Sequence, residues 1–281
     1  MKIERLKAAG YTLLAAAMFT APAMAQQAAP QKLYNTAKQK LLDGKQIFSV
    51  TISKPDPQAY CEAAKHYDYT WFEMQHSTLT WADIEKMIAT CPHVAATPMV
   101  RMQDELESSI QHATDIGVLG IIMPTVDTVE KAEAAVKYAK YPPEGRRSMG
   151  AGQAAGIWGG GPDRMKYRTS INENMMVVVM IETPIGVAHA SEIANVPGVD
   201  AVLVANTDLG NFSGWFDHNS APYQGMVKLI HDATLHAGKY LGATDPSYAK
   251  GRPDSADFRF LQNGPSNDGW VKPNPPGTGS R

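Results

Sequence analysis

Two short apolar runs without polar alternation stand out in the second half of the chain, at residues 177–181 and 201–204. Val-rich runs of this kind are typical of parallel strands that are buried on both faces. A helix-sized segment at 186–195 separates them, so the pattern predicts a β-α-β unit. Glu182 directly follows the first run, and Asp208 lies just beyond the second. Because parallel strands end at the same face, we expect these two carboxylates to form a divalent-metal site.

The same pattern predicts six further strands separated by helices. The strands are expected at residues 46–52, 69–73, 97–100, 119–123, 239–241 and 258–261. The helices are expected at residues 55–67, from 80 onward, at 104–116, from 127 to 141, and at 222–237. Strands that alternate with helices in this way predict an α/β fold, and eight of them predict a (β/α)₈ barrel.

Charged and imidazole side chains follow several predicted strands, at the end where barrel enzymes hold their active sites. Glu73 and His76 follow the second strand, and Arg101 follows the third. Since a buried charge without a partner is costly, these residues should meet one another, Glu182 and Asp208, or a ligand. We interpret His76 as a proton-transfer residue oriented by Glu73, and Arg101 as a ligand for a substrate carboxylate. The alternatives are a helix-start hydrogen bond for His76, an ion pair between Arg101 and Glu73, and helix caps for the other two carboxylates.

The composition gives no indication of a nucleic-acid partner, and the first residues predict that the protein is exported. The 281-residue chain has a formal net charge of −2, without the basic excess that would indicate a nucleic-acid partner. Residues 1–25 have the layout of a secretory signal peptide, with early basic residues, an apolar run and a final Ala-Met-Ala. The apolar run is shorter than the roughly 20 residues that a membrane span needs. We therefore predict a periplasmic or secreted protein, with no membrane attachment after cleavage.

The chain is predicted to hold a single folded domain with short extensions. The expected boundaries are a signal peptide at 1–25, a leader at 26–40, the barrel at 41–263 and a flexible Gly/Pro-rich tail at 264–281. Two cysteines, Cys61 and Cys91, are too few for a disulfide scaffold. One disulfide between neighbouring outer helices is an alternative, but we interpret them as unpaired thiols because sequence does not fix the geometry.

A long segment at residues 144–174 interrupts the alternation of strands and helices. It is rich in glycine, but no strand precedes the glycines and no Gly-Lys-Ser/Thr follows them, so the pattern does not favour a phosphate-binding loop. We predict a lid over the barrel mouth, with a mobile surface loop as the alternative.

Several ordered motifs resemble those of a known family. They are Glu73-Met74-Gln75-His76, Val100-Arg101, Ile122-Met123-Pro124, Tyr-Pro-Pro-Glu-Gly-Arg-Arg at 141–147, Ile181-Glu182-Thr183, Gly198-Val199-Asp200 and Thr207-Asp208-Leu209. In this order they resemble the class II pyruvate aldolases of the HpcH/HpaI aldolase/citrate lyase family, and the resemblance covers residues 41–261. It implies a TIM barrel of the phosphoenolpyruvate/pyruvate type, in agreement with the pattern of strands and helices.

The resemblance also implies roles for individual residues. Glu182 and Asp208 match the family's ligands for a divalent metal, Mg²⁺, Mn²⁺ or Co²⁺. Arg101 matches its substrate-binding arginine, and His76 its histidine. Three further residues are expected to bind substrate through the resemblance alone: Pro124, Arg147 and Thr207.

The chain departs from the family pattern at several positions. The family has Asp-x-Glu-His where this chain has Glu73, Gln75 and His76. The other departures are Met180 for Gln, Ala205-Asn206 for Gly-Pro, and Ser148 for Gly. The last helix of the family barrel, often exchanged between subunits, is not evident in the Pro-rich tail, so a homo-oligomer is left open.

The expected function is that of a metal-dependent aldolase, a carbon–carbon lyase. It would cleave a 4-hydroxy-2-keto acid to pyruvate or a related 2-keto acid plus an aldehyde, through an enolate that the metal stabilises. No lysine falls at the end of a predicted strand, which argues against a Schiff-base aldolase. Trp158 hints at a bulky aldehyde, although a tryptophan that packs on the barrel rim is an equal alternative. The other candidate functions are a CoA-ester lyase and a periplasmic protein that binds metal–keto acid complexes without turnover.

Overall fold

A computed structural model of the chain describes residues 33–150 and 152–272, which form a closed barrel of eight parallel strands. Each strand pairs with the next one along the chain, and the eighth pairs with the first. The strands are β1 Ile47–Ile52, β2 Tyr69–Glu73, β3 Thr97–Arg101, β4 Gly120–Met123, β5 Met176–Ile181, β6 Ala201–Val204, β7 Tyr240–Ala243 and β8 Phe258–Leu261. The predicted (β/α)₈ barrel is confirmed, and each predicted strand is present.

Helices surround the barrel and fill most of the connections between its strands. In the described residues they are α1 Thr36–Leu42, α2 Pro57–Ala63, α3 Trp81–Thr90, α4 Glu107–Asp115, α5 Val129–Ala139, α6 Gln153–Ile157, α7 Arg164–Asn174, α8 Pro184–Ala188, α9 Ala190–Ala194, α10 Asn206–Ser213 and α11 Ala221–His236, with a 3₁₀ helix at Pro246–Ala249. The single helix predicted at 186–195 is divided into α8 and α9 at His189.

Strand β5 shows why the strands appear in the sequence as unbroken apolar runs. Alternate residues of β5 face the barrel interior, where they pack with Trp71 and Leu203; these residues are Met176, Val178 and Met180. The intervening residues pack outward against the helices; these are Val177, Val179 and Ile181. Both faces of the strand are therefore buried, as a parallel sheet covered by helices requires.

A helix that the sequence analysis did not predict covers the amino-terminal end of the barrel. Ala37 and Leu41 of α1 are buried and belong to the interior cluster of the barrel. The amide of Asn35, which caps α1, donates to the carbonyls of Leu119 at 3.2 Å and Asn174 at 2.7 Å. The predicted leader at 26–40 therefore overlaps a structural element that begins within it. The predicted signal peptide at 1–25 lies outside the described residues.

The glycine-rich segment at 144–174 is not a lid, and this prediction is wrong. The Gln153 side chain donates to the Ile116 carbonyl at 2.9 Å, and the Trp158 indole donates to the Gly117 carbonyl at 2.9 Å, just before β4 begins. Trp158 also stacks on Tyr34, with 5.2 Å between ring centroids. The segment joins a helix to a strand, and such connections lie at the amino-terminal end of a barrel, opposite its mouth. The hint of a bulky aldehyde from Trp158 therefore has no structural support.

Cys61 and Cys91 form a disulfide, so the interpretation as unpaired thiols is wrong. Cys61 lies in α2, and Cys91 ends α3. The two outer helices pack side by side and bring the Cα atoms to 5.9 Å, within the range that a disulfide requires.

The first part of the predicted flexible tail is packed against the barrel. Trp270 stacks on His66, with 4.8 Å between ring centroids, and the Asn267 amide donates to the His66 carbonyl at 2.8 Å. The remainder of the tail, at 273–281, lies outside the described residues. In the parts of the chain that the structure describes, no helix combines the length and apolar character of a membrane span.

Candidate active site at the barrel mouth

A charged layer lies on top of the apolar interior of the barrel, at the carboxyl ends of three strands. Glu73 ends β2 two residues beyond Trp71, and Arg101 ends β3 two residues beyond Met99. Glu182 follows β5 two residues beyond Met180. Side chains at alternate positions of a strand share a face, so the charged residues continue the inward rows begun by these three apolar residues. All three charged residues are buried.

Glu73 holds Arg101 and the start of the following loop. Its Oε2 accepts from the Trp71 indole at 3.0 Å and lies 3.4 Å from Nη1 of Arg101. Its Oε1 accepts from the backbone amides of Gln75 at 3.0 Å and His76 at 3.1 Å. The Arg101–Glu73 ion pair that was an alternative for these residues is therefore present.

His76 does not form the predicted pair with Glu73. Its backbone amide, and not its imidazole, contacts the Glu73 carboxylate. The side chain is exposed beside the mouth, and it makes no hydrogen bond to any residue in the described part of the chain. The sequence indicated that the two residues are close but could not give the rotamer of the imidazole.

Arg101 lies among three carboxylates. Its Nη2 is 3.9 Å from Oε2 of Glu182 and 3.7 Å from Oδ2 of Asp208, both beyond hydrogen-bond distance. Nη2 and Nε have no hydrogen-bond partner among the described residues. The guanidinium thus offsets the negative charge of the cluster and retains donors for an anionic ligand.

The two oxygens of Glu182 have different surroundings. Oε1 accepts from both the backbone amide and the hydroxyl of Thr125, each at 2.6 Å. Oε2 is buried and has no hydrogen-bond partner in the described structure. Burial raises the pKa of Glu182, and the negative charge of Asp208 adds to this, whereas the Thr125 hydroxyl and the Arg101 guanidinium oppose it. Thr125 was not among the predicted site residues, because its backbone conformation cannot be inferred from sequence.

Asp208 enters the site from the first turn of α10, which follows β6. Its side chain is 34% exposed, so it faces the open side of the mouth. The neighbouring Asn206 is buried, and its side-chain oxygen accepts from the Asp245 amide at 3.0 Å, which ties α10 to the end of β7. An amide at this position was noted only as a departure from a family pattern, yet it anchors the helix that carries Asp208.

The other predicted substrate residues divide between the two ends of the barrel. Thr207 is exposed in the first turn of α10, and Pro124 is half-buried directly after β4, so both lie at the mouth. Arg147 is not brought to this cluster. It is buried, donates to Asp115 at 2.9 Å and covers the ring of Tyr141 at the amino-terminal end of β4.

The residues at the mouth fit a divalent cation. An unpartnered buried carboxylate oxygen is costly unless a cation or donor meets it, and Glu182 presents such an oxygen beside Asp208. Mg²⁺ and Mn²⁺ prefer oxygen ligands, and Mg²⁺ sites with one or two protein carboxylates keep water and substrate oxygens in the other positions. Among the residues described, no three His, Cys, Asp or Glu side chains are grouped as a metal site. The ligands beyond two carboxylates would therefore come from substrate and water.

Fold and site together define a class, a (β/α)₈-barrel enzyme with a pair of carboxylates and an arginine for an anionic substrate at its mouth. Residues 54–239 match the family profile of HpcH/HpaI aldolase/citrate lyase. The chain belongs to this family.

Individual relatives agree with this assignment. A hydroxypyruvate/pyruvate aldolase from Delftia acidovorans is 34% identical over 186 residues, which cover 66% of this chain and 68% of the relative. A 2-keto-3-deoxy-L-rhamnonate aldolase from Salmonella gallinarum is 28% identical over 194 residues, covering 67% of this chain and 71% of the relative. A crystal structure of a family protein from Burkholderia cenocepacia superposes with a TM-score of 0.73 at 24% identity, covering 82% of this chain and 92% of that one. The structural likeness supports the fold.

Proposed function

We propose that this protein is a divalent-metal-dependent aldolase that cleaves a 4-hydroxy-2-keto acid into pyruvate or a related 2-keto acid and an aldehyde. The observation that carries the proposal is that Oε2 of Glu182 and the neighbouring Nη2 of Arg101 both lack a hydrogen-bond partner in the described part of the chain, with Asp208 at the open side. Relatives named as aldolases for hydroxypyruvate/pyruvate and 2-keto-3-deoxy-L-rhamnonate support a keto acid as substrate.

Glu182 and Asp208 would hold the cation, and Arg101 would bind the substrate. When bound, the cation supplies a Lewis acid that draws electron density from the keto group. The free donors of Arg101 meet the substrate carboxylate or the keto oxygen, where negative charge develops as the carbon–carbon bond breaks. Glu73 keeps the guanidinium in place through its 3.4 Å contact with Nη1. The buried floor of the barrel below this layer excludes water from beneath the substrate.

His76 is the candidate for proton transfer at the hydroxyl on the aldehyde side of the substrate. Its exposed imidazole lies on the loop directly after β2, at the rim of the mouth. Because Glu73 holds the backbone of this loop, the imidazole is free to turn toward a bound substrate.

A retro-aldol screen of the purified protein tests the proposal. A panel of 4-hydroxy-2-keto acids is incubated with Mg²⁺, Mn²⁺ or Co²⁺, and release of pyruvate or another 2-keto acid is measured. We expect metal-dependent release that is lost in Glu182→Ala and kept in Glu192→Ala, which removes an exposed glutamate of α9. Absence of release with every metal, from protein that binds Mn²⁺ normally, would exclude an aldolase acting on these substrates.

A second candidate is a protein that binds metal–keto acid complexes without turnover. The observation that favours it is the His76 imidazole, which lacks an orienting partner among the described residues. Tight keto-acid binding without product release, unchanged in His76→Ala, would support the binding protein. Loss of release in His76→Ala with binding retained would support the aldolase.

Export of the protein is part of the proposal. Residues 1–25 have the pattern of a signal peptide, and a disulfide such as Cys61–Cys91 persists in oxidising compartments. Mass spectrometry of the periplasmic or secreted fraction should find a chain that lacks residues 1–25. A full-length chain confined to the cytoplasmic fraction would contradict export.

A further inference from the structure

Thr125 has an unusual backbone conformation directly beside Glu182. Its φ is +48°, in the left-handed region, which is a clear outlier for a β-branched residue. Within the described residues, only Asn263 is another non-glycine residue with positive φ. A strained residue of this kind persists only where its surroundings hold it, and such residues concentrate at functional sites.

Neighbouring groups hold Thr125 on all sides. Its amide and hydroxyl both donate to Oε1 of Glu182 at 2.6 Å. Its carbonyl accepts from Nζ of Lys131 at 3.1 Å. The next amide, that of Val126, donates to the Met180 carbonyl at 3.0 Å and so fastens the turn to β5. The left-handed turn is what lets the amide and the hydroxyl of one residue converge on a single carboxylate oxygen.

We propose that Thr125 is a positioning residue, which engages Oε1 of Glu182 so that Oε2 is the atom offered to the cation. Lys131 supports this arrangement from behind, by holding the Thr125 carbonyl. The inference rests on the metal site of the proposed function, and it concerns which carboxylate oxygen serves as ligand and what fixes it.

The Thr125 hydroxyl is needed because a competing donor lies close by. Nη2 of Arg101 has no hydrogen-bond partner within residues 33–150 and 152–272, and it is 3.9 Å from Oε2 of Glu182. A carboxylate held by one amide alone could turn about its last torsion and pair with this nitrogen. Two donors on Oε1 fix the plane of the carboxylate and keep Oε2 available.

Substitutions at Thr125 separate the hydroxyl from the shape of the side chain. Thr125→Val keeps the β-branch and removes the hydroxyl, and Thr125→Ser keeps the hydroxyl. Mn²⁺ affinity of the purified full chain is measured by calorimetry without substrate. We expect Thr125→Val to weaken Mn²⁺ binding at least ~10-fold, as is typical for a residue that orients a metal ligand, and Thr125→Ser to stay within about threefold of the wild type.

Two further variants complete the design. Thr169→Val makes the same exchange at an exposed position of α7, at the other end of the barrel, and should leave Mn²⁺ affinity unchanged. Lys131→Met removes the donor to the Thr125 carbonyl and should weaken Mn²⁺ binding less than Thr125→Val. Circular dichroism establishes that each variant is folded. If Thr125→Val does not fold, the Mn²⁺ affinity of Lys131→Met tests the proposal instead. An affinity equal to that of the wild type in Lys131→Met overturns the proposal.

The proposal is also overturned if folded Thr125→Val binds Mn²⁺ as tightly as the wild type, or if Thr125→Ser is as weak as Thr125→Val. These results leave the aldolase proposal intact when the wild type binds Mn²⁺ and releases a 2-keto acid. A wild-type protein that binds no Mn²⁺ rejects the metal site itself, and Thr125 with it. A wild type that binds Mn²⁺ without turnover rejects the aldolase alone.

Discussion

Glu182 is a buried carboxylate whose negative charge, in the proposed metal site, would favour cation binding at the expense of the stability of the metal-free protein. Only 1% of the residue is exposed, and Oε2 has no hydrogen-bond partner in the described structure. Keeping a negative charge there without a cation is unfavourable. Sites of this kind are a common reason why function and stability oppose each other.

Glu182→Gln should separate the two effects. The amide keeps an oxygen for Thr125 and removes the buried charge, so we expect a higher melting temperature for the metal-free variant at neutral pH. Metal-dependent turnover should fall at least ~100-fold, since the cation contributes several kcal/mol to the transition state. Calorimetric unfolding and the retro-aldol assay measure these outcomes. A melting temperature below that of the wild type would show that the charge is well compensated.

The raised pKa of Glu182 sets the pH dependence of two properties, the stability of the metal-free protein and its affinity for Mn²⁺. A carboxyl group whose pKa is higher in the folded than in the unfolded state contributes stability below its unfolded pKa, and this contribution is lost as pH rises through the folded value. A cation competes with the proton, so Mn²⁺ affinity should fall as pH drops toward the raised pKa. The fall in Mn²⁺ affinity should begin at a pH above the ordinary glutamate pKa of about 4.3.

Mn²⁺ titrations from neutral pH down to about pH 5 test this, because an unperturbed glutamate stays ionised over that range. In Thr125→Val the fall should begin at higher pH than in the wild type, since the hydroxyl opposes the rise in pKa. An affinity that is constant over the whole range would contradict a raised pKa in the metal-free site.

At the scale of elements, the disulfide joins α2 and α3, two helices of the outer layer, and it lies outside the barrel interior. It closes a loop with a sequence separation of 30 between Cys61 in α2 and Cys91 at the end of α3. A disulfide over a loop of this length is typically worth ~2–4 kcal/mol. Reduction should lower the free energy of unfolding by this amount and leave Mn²⁺ affinity unchanged.

Urea unfolding with and without reductant gives the measurement. The matched control is the double variant Cys61→Ala/Cys91→Ala, whose unfolding should not respond to reductant. If reduction alters Mn²⁺ affinity in the wild type but not in this variant, the disulfide affects the geometry of the metal site. The connection would be β2, which lies between α2 and α3 in the chain.

Much of the fold was predictable because burial on both faces of a parallel strand leaves a plain apolar signal. The ends of the runs that became β2, β3 and β5 also placed Glu73, Arg101 and Glu182 at the carboxyl-terminal face of the barrel. The position of the segment at 144–174 was predictable in principle, since chain order shows that it joins a helix to a strand. Its glycine content suggested a lid, and that signal was misleading.

Other features depend on packing that no local pattern expresses. Helix α1 has seven residues and buries only Ala37 and Leu41, which is too few for a periodic signal. The left-handed backbone of Thr125 is held by two contacts. One is to Glu182, which is distant in sequence, and the other is to Lys131 in the following helix, α5. The pairing of Cys61 with Cys91 depended on how closely two helices pack.

The whole molecule divides its roles between the two ends of the barrel. The mouth carries the partly exposed side chain of Asp208 and Oε2 of Glu182, which has no hydrogen-bond partner among the residues that the structure describes. The opposite end is closed by α1, where buried Asn35 is satisfied by Leu119 and Asn174. In barrels of this kind the mouth serves catalysis and the other end serves stability.

A leucine pair in α1 tests this division. Leu41 is 1% exposed and fills the lower end of the interior cluster, whereas the adjacent Leu42 is 58% exposed. Leu41→Ala should lower the free energy of unfolding by ~2–5 kcal/mol through the cavity it leaves, and Leu42→Ala should change it by less than about 0.5 kcal/mol.

Both leucine variants should bind Mn²⁺ with wild-type affinity, because the length of the barrel separates α1 from Glu182. Urea unfolding and calorimetry on the same preparations measure the two properties together. Glu182→Gln should show the reverse combination, with the stability of the metal-free protein raised and Mn²⁺ binding lost. If Leu41→Ala weakens Mn²⁺ binding while the protein remains folded, the two ends are coupled through the interior side chains, and the site depends on the packing of the whole barrel.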